Sequence, residues 1–184
     1  TDHIITKGGD LVNNVPSDVR MELYVRAKTM EAIDCQHRRV DEALKAGGAA
    51  VGAKAVIETL PGMFPLACSP RLNDLFVENI KEYFPETKIE DAGHFTASTD
   101  MGDISHLMPS IHPFIGGVDG GLHTKDFCVT DFDAAAILPG KVFAMNIIDL
   151  LYDEAAMAKE ILEKEKPILT KEEYLAKLES YFQS

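Results

Sequence analysis

The chain has 184 residues, 46% of them hydrophobic and 26% charged, the balance of a globular protein and not of a disordered or fibrous one. Lys and Arg number 18 against 30 Asp and Glu, a formal net charge of −12 with no basic block, which argues against nucleic acid and anionic membrane as partners. Three widely spaced cysteines, Cys35, Cys68 and Cys128, form neither a C-x-x-C pair nor a disulfide framework, so a reducing compartment, the cytoplasm, is expected.

At this length folding is expected to remove roughly 70% of the unfolded surface from water. Apolar stretches such as Val142 to Ile148 fall short of the roughly 20 residues that cross a bilayer, and Thr1-Asp2-His3 does not read as a signal peptide.

The first predicted element is a short strand, His3 to Thr6, running into Gly8-Gly9. A turn at Pro16-Ser17-Asp18 leads to a second, in which Val19, Met21, Leu23 and Val25 alternate with polar or larger neighbours. Met30, Ile33, His37, Val40 and Leu44 then recur at helical spacing, with Asp34/Arg38 and Asp41/Lys45 as i,i+4 pairs and Gly47-Gly48 loosening the end. Ala53 to Leu60 reads as a third strand, stopped by Pro61-Gly62. The resulting β-β-α-β unit lacks the helix and strand that would complete a two-layer sandwich.

Beyond residue 62 the character changes, so domains of 1–62 and 63–184 are expected. Ser69-Pro70 opens a helix whose stripe is Leu72, Leu75, Phe76, Ile80 and Tyr83. Residues 86 to 109 show little periodicity. Ser110 to Ile115 is apolar enough for a strand ending in Gly116-Gly117, a helix is expected from about Lys141 to Tyr152, and Thr170-Lys171-Glu172-Glu173 is a capping box opening a final helix.

Chemistry concentrates between Ser98 and Asp126, a weakly periodic stretch dense in His, Asp and Gly. Imidazoles and carboxylates ligate zinc or move protons near neutral pH, and glycines allow close backbone approach. Spacing alone does not decide roles, because no H-E-x-x-H, H-x-D or i,i+4 His pair is present. His106 and His112 are open between a site and a structural role; His3, His37 and His94 read as structural or solvent-facing. Asp100 and Asp103 are acids of a site or caps of backbone N–H groups. The cysteines, with no activating partner in view, read as buried and inert.

Four segments in order, Gly8-Gly9-Asp10-Leu11-Val12-Asn13-Asn14-Val15-Pro16, Leu23-Tyr24-Val25-Arg26-Ala27, Ser98-Thr99-Asp100-Met101-Gly102-Asp103-Ile104-Ser105-His106 and Gly121-Leu122-His123-Thr124, resemble the zinc-dependent amidohydrolases of the aminoacylase and carboxypeptidase G family. The look is closest to the aminobenzoyl-glutamate and hippurate hydrolase branch, from His3 to about Tyr152. The resemblance implies an α/β (α+β) chain: residues 1–62 as the later part of a ferredoxin-like lid that mediates homodimerisation, and residues 63–184 as the C-terminal part of a three-layer two-zinc catalytic domain.

By the same resemblance Asn13 matches the lid asparagine, Arg26 the lid arginine that grips the substrate carboxylate, Thr99 the hydroxyl residue of the loop beside that carboxylate, and His123 the last metal-binding histidine. A guanidinium holds a carboxylate through two charge-assisted hydrogen bonds, a neutral imidazole suits zinc, and an Asn amide can donate to a carbonyl becoming tetrahedral. The family's other metal ligands, its Glu base and its upstream lid histidine have no counterpart in this sequence. No catalytic residue is therefore assigned here. The expectation is a fragment of a hydrolase that cleaves an amide next to a free carboxylate (an N-acyl amino acid, aminobenzoyl-glutamate or a dipeptide), inactive and without zinc by itself; the alternative is a non-catalytic dimerisation or binding module.

Overall fold

The computed structural model describes residues 1–91, 93 and 97–182. Its architecture is mixed α+β: among the described residues, two small two-stranded sheets, five α-helices and one π-helical turn. Strand β1 (Asp2–Lys7) pairs antiparallel with β2 (Arg20–Tyr24), Asp2 opposite Tyr24, with an irregularity between Ile5 and Lys7. Lys7 and Arg20 both reach Asp18 at the turn, 3.1 and 3.0 Å away.

Helix α1 (Met30–Ala50) starts where Thr29 accepts a bond from the Ala32 N–H at 3.2 Å, and its half-buried stripe of Ile33, His37, Val40 and Leu44 follows the periodicity. It runs through Gly47-Gly48 where the sequence suggested loosening. The chain reverses after Gly52 and returns over Gly48, where a Cβ would lie 3.2 Å from the Ala55 nitrogen, so the missing side chain serves close approach and does not end the helix.

The third strand expected over residues 53–60 does not form. Ala55, Ile57 and Thr59 are half-buried and Val56, Glu58 and Leu60 exposed, so the alternation survives, but no ladder bonds join this segment to β1 or β2. Instead it lies along α1, with Thr59 Oγ1 3.2 Å from His37 Nε2. Alternation chooses a face; it does not supply a neighbouring edge.

Helix α2 (Pro70–Tyr83) is capped by Ser69, whose hydroxyl accepts from the Leu72 N–H at 3.1 Å. Helix α3 is Met101–Leu107. Strands β3 (Val118–Asp119) and β4 (Cys128–Val129) form a hairpin that no sequence signal announced, and the strand expected at 110–115 is irregular chain, tied to the start of α2 by the Ser69 N–H donating to the Ser110 carbonyl at 2.8 Å.

A π-helical turn, Asp133–Ile137, leads into α4 (Leu138–Lys164), which leaves helical geometry at Tyr152–Ala155, where the expected helix ended. Asp153, Glu154 and Ala155 are left-handed, costing roughly 1–2 kcal/mol each for residues with a Cβ. Helix α5 (Lys171–Phe182) begins with the expected capping box: Glu173 N–H to Thr170 Oγ1, 3.2 Å, and Thr170 N–H to the Glu173 carboxylate, 2.8 Å.

The core lies between α2 and α4, where Phe76, Ile80 and Val142 are buried with Phe84, Ile111, Leu138 and Met145 against them. Buried Asn79 donates to Asn146 and Asp149, each at 2.8 Å. The accessible surface is 13570 Å². A folded 20.2 kDa monomer exposes roughly 8,800 Å² and its unfolded chain roughly 29,000 Å². Burial is thus just over half, not the larger share expected from length. Much of the excess is apolar side chain: Ile147, Ile148, Leu151 and Tyr152 of α4 are each more than half exposed. The run Asp133–Lys164 contains an 18-residue window that is, by length and composition alone, apolar enough to cross a membrane, with 17% of that window buried, a longer apolar stretch than the sequence reading expected. The Asn79–Asn146–Asp149 cluster in its middle packs on α2 and favours a protein neighbour for the rest.

An isolated two-stranded sheet is marginal, and exposed strand edges invite pairing. The purified chain is therefore expected to self-associate in light scattering, and a strict monomer at high concentration would count against this.

Helix α5 is tied to α1 through Asp34, which accepts from Lys177 at 2.6 Å and Tyr181 at 2.8 Å. Partial burial works to raise the Asp34 pKa, but the hydrogen bonds from Lys177 and Tyr181 outweigh it and hold the carboxyl below its usual range. A carboxyl depressed in the folded state stabilises above its unfolded pKa, about 3.9, and that contribution disappears as pH falls through the lower folded value. Parent and Asp34→Asn melting temperatures should accordingly converge as pH is taken down past about 4; a gap that stays constant to the lowest pH would show that Asp34 ionisation contributes nothing.

Candidate functional site

Four of the singled-out residues meet where the strand-bearing half touches the loop before α3. Arg26 follows β2, and its guanidinium stacks over the Tyr24 ring, 4.9 Å from the centroid. Nη1 donates to Ser98 Oγ. Nε lies 3.3 Å from the Asp2 carboxylate, yet without hydrogen-bond alignment, and is buried with no hydrogen-bond partner. A buried donor left unpaired costs about 1–3 kcal/mol, so this edge of the fork is primed for an acceptor, and a carboxylate of the chain itself already stands beside it.

The neighbouring Thr99 is half-buried. Its Oγ1 lies 3.2 Å from Asp100 Oδ1, 3.3 Å from His112 Nδ1 and 3.4 Å from the Met101 backbone nitrogen. Asp100 stands at the N-terminus of α3 without making a side-chain capping bond, contrary to the capping alternative. The His112 ring stacks on Phe114, centroids 5.5 Å apart and planes at 30°. The loop is pinned from beneath by α3: Gly102 fits so closely on the chain before α2 that a Cβ would stand 1.9 Å from the Phe64 carbonyl oxygen.

His106 is structural. It is 6% exposed, its Nε2 donates to the Pro65 carbonyl at 3.0 Å, and its ring meets Phe64 edge-on at 5.3 Å. Asp103 accepts from the Tyr174 hydroxyl at 3.2 Å, which also makes it a packing residue. His37 bridges Thr59 and Asp41, 3.2 and 3.5 Å away; His3 is exposed on β1; His94 lies outside the described residues. None of the cysteines is buried as expected: Cys35 and Cys68 are half-buried and Cys128, on β4, is exposed.

Asn13 and His123 are not brought to Arg26 and Thr99. Asn13 is exposed in the turn closed by Asn14 N–H to the Leu11 carbonyl, 3.3 Å. His123 is exposed in the loop between β3 and β4 with φ +62°, beside a turn in which Thr124 Oγ1 donates to the Gly121 carbonyl at 2.7 Å. Among the described residues, no three His, Cys, Asp or Glu side chains stand close enough together to hold a metal ion. The described residues alone therefore do not fit a zinc centre, and no chemical step of this chain is derived through one.

The chain is similar to the Xaa-Arg dipeptidase of Mus musculus, 29% identical over 162 residues that cover 84% of this chain and 38% of the relative. It is also similar to the Xaa-Arg dipeptidase of Homo sapiens, 24% identical over 157 residues, 81% of this chain and 36% of the relative. The similarity is to dipeptidases. The chain spans less than two fifths of the length of these relatives. No family model matches the chain, and no solved structure does.

The sequence singled out Arg26 and Thr99 separately; that Arg26 reaches the loop of Thr99 through Ser98, with His112 against Thr99, came from the structure. Ser98 and Asp100 carried a signal in their position next to Thr99. Asp2 carried none, because its approach to Arg26 depends on strand pairing that places the start of β1 against the end of β2.

Proposed function

We propose that the chain is the lid and C-terminal portion of a metal-dependent amidohydrolase that cleaves an amide bond next to a free carboxylate, with dipeptides ending in arginine among the candidate substrates alongside N-acyl amino acids and aminobenzoyl-glutamate. The observation that carries this reading is the Arg26 guanidinium, stacked on Tyr24, bonded to Ser98 next to Thr99 in sequence, and with a buried Nε–H that makes no hydrogen bond and has only the Asp2 carboxylate 3.3 Å away. A planar fork binds a carboxylate through two parallel charge-assisted bonds, and a substrate carboxylate would take the place beside Nε that Asp2 holds here. The names of the two relatives support a peptide substrate, and the share of their length that this chain covers supports a larger whole.

In that whole, residues 1–62 act as a ferredoxin-like lid that pairs two copies, and residues 63–184 complete a three-layer catalytic domain in the cytoplasm. Asn13 donates to the scissile carbonyl. His123 would be one ligand of a two-zinc centre whose other ligands come from residues outside this chain, and such ions would supply Lewis-acid polarisation and an activated water. The large apolar exposure of α4 fits a surface meant to be covered by the remaining protein.

The test is metal analysis and hydrolysis assays on all three substrate classes, for this chain and for the protein extended upstream in its gene. This chain is expected to hold no stoichiometric zinc after dialysis and to hydrolyse nothing; the extended protein is expected to do both. One-to-one zinc with amidase activity in the 184 residues overturns the reading of a part. An extended protein inert toward every class supports the alternative, a dimerisation or ligand-binding module.

A further inference from the structure

The Thr99 hydroxyl has three neighbours and a fixed capacity of one hydrogen to give and two lone pairs to receive. The Met101 N–H, at 3.4 Å, occupies one lone pair. An ionised carboxylate is acceptor-only, so the bond to Asp100 at 3.2 Å takes the single hydrogen. The remaining contact, His112 Nδ1 at 3.3 Å, is then Nδ1–H donating to Thr99. A neutral imidazole with its hydrogen on Nδ1 carries its lone pair on Nε2. Among the described residues Nε2 has no hydrogen-bond partner, and it is not among the buried unpaired atoms, so it opens toward solvent. Stacking on Phe114 fixes the ring plane.

We propose that His112 is a substrate-reading residue: its Nε2 lone pair, held outward by the Asp100–Thr99–His112 chain, accepts the N–H of the amide next to the substrate carboxylate. The inference rests on the reading of Arg26 and Thr99 as the carboxylate site. In such a substrate the amide nitrogen and the carboxylate carbon are bonded to the same carbon, so an acceptor attached to the clamp through Thr99 is where that N–H arrives. The site would then separate amides from esters of the same shape, since an ester oxygen offers no hydrogen and would face the lone pair.

The experiment uses the full 184-residue chain, ¹⁵N-labelled, near pH 8, where an ordinary imidazole is neutral. Long-range ¹H–¹⁵N spectra report the His112 tautomer, and titrations with N-acetyl-L-alanine and O-acetyl-L-lactate, which differ only in N–H against O, report binding. The expected result is an Nδ1–H ring and about tenfold tighter binding of the amide, the worth of one good hydrogen bond. His112→Phe, which keeps a ring on Phe114, should bring the two ligands to equal affinity, and Asp100→Ala should move the hydrogen to Nε2 and abolish the preference. A parent ring protonated on Nε2, or equal binding of both ligands that Arg26→Met abolishes, overturns the role of His112 and leaves the clamp standing. Failure of both ligands to bind at millimolar concentration overturns the clamp, and the proposal with it.

Discussion

Gly102→Ala should cost about 3 kcal/mol, at the upper end of overpacking effects, because the added Cβ would stand 1.9 Å from the Phe64 carbonyl oxygen and 2.9 Å from its carbon. Both obstacles are backbone, so no side chain can swing aside; either α3 or the segment leading to α2 must move. For a chain of this length that loss corresponds to a fall of roughly 6–12 °C in melting temperature. Thr99 and Asp100 immediately precede α3, so the hydrogen-bond chain to His112 should loosen with it. Gly47→Ala is the control: it lies within α1 with nothing within 4 Å of the added Cβ, and replacing glycine by alanine in a helix stabilises by up to about 1 kcal/mol. Calorimetry on the two variants should move in opposite directions. A Gly102→Ala protein as stable as the parent would show that α3 does not pack on Phe64 as described.

Arg26→Lys, made in the extended protein, should lower kcat/KM for carboxylate-bearing substrates by roughly 30- to 150-fold, the equivalent of about 2–3 kcal/mol for a desolvated carboxylate clamp. Lys keeps the charge but loses the planar fork, and with it the Nε–H edge that the structure leaves unpaired. If Arg26 were an ordinary exposed edge charge, the loss would be on the order of 1 kcal/mol or less. The same substrates with the carboxylate converted to an amide should be poor for the parent and nearly indifferent to the substitution. Equal changes with both substrates, or no change with either, would return Arg26 to the role of a surface charge paired with Asp2.

The helices were the legible part of this chain because their signals are local. The stripe of α1, the Ser69-Pro70 start of α2 and the reciprocal Thr170–Glu173 capping box each depend on residues within a turn or two of one another, so sequence spacing alone sets them. The strands were less legible for the same physical reason reversed. Residues 53–60 have the alternation of a strand and keep its pattern of exposure, but a strand exists only if another edge is offered to it, and that edge belongs to distant sequence. The β3–β4 hairpin shows the converse: two residues a side are too short to leave a period.

For the site, the sequence by itself determined which side chains could do chemistry: an arginine ending an alternating strand, a Ser-Thr-Asp loop, and histidines among glycines. Only the tertiary structure decided which of them meet. Arg26 reaches Ser98, 72 positions further along the chain, His112 is fixed by Thr99, and His106, equally eligible on paper, is buried under Phe64 with its hydrogen spent on Pro65. Residue type and spacing state capacity for a hydrogen bond or a charge. Whether that capacity is spent inside the protein or left open to a ligand depends on which distant segments fold against it.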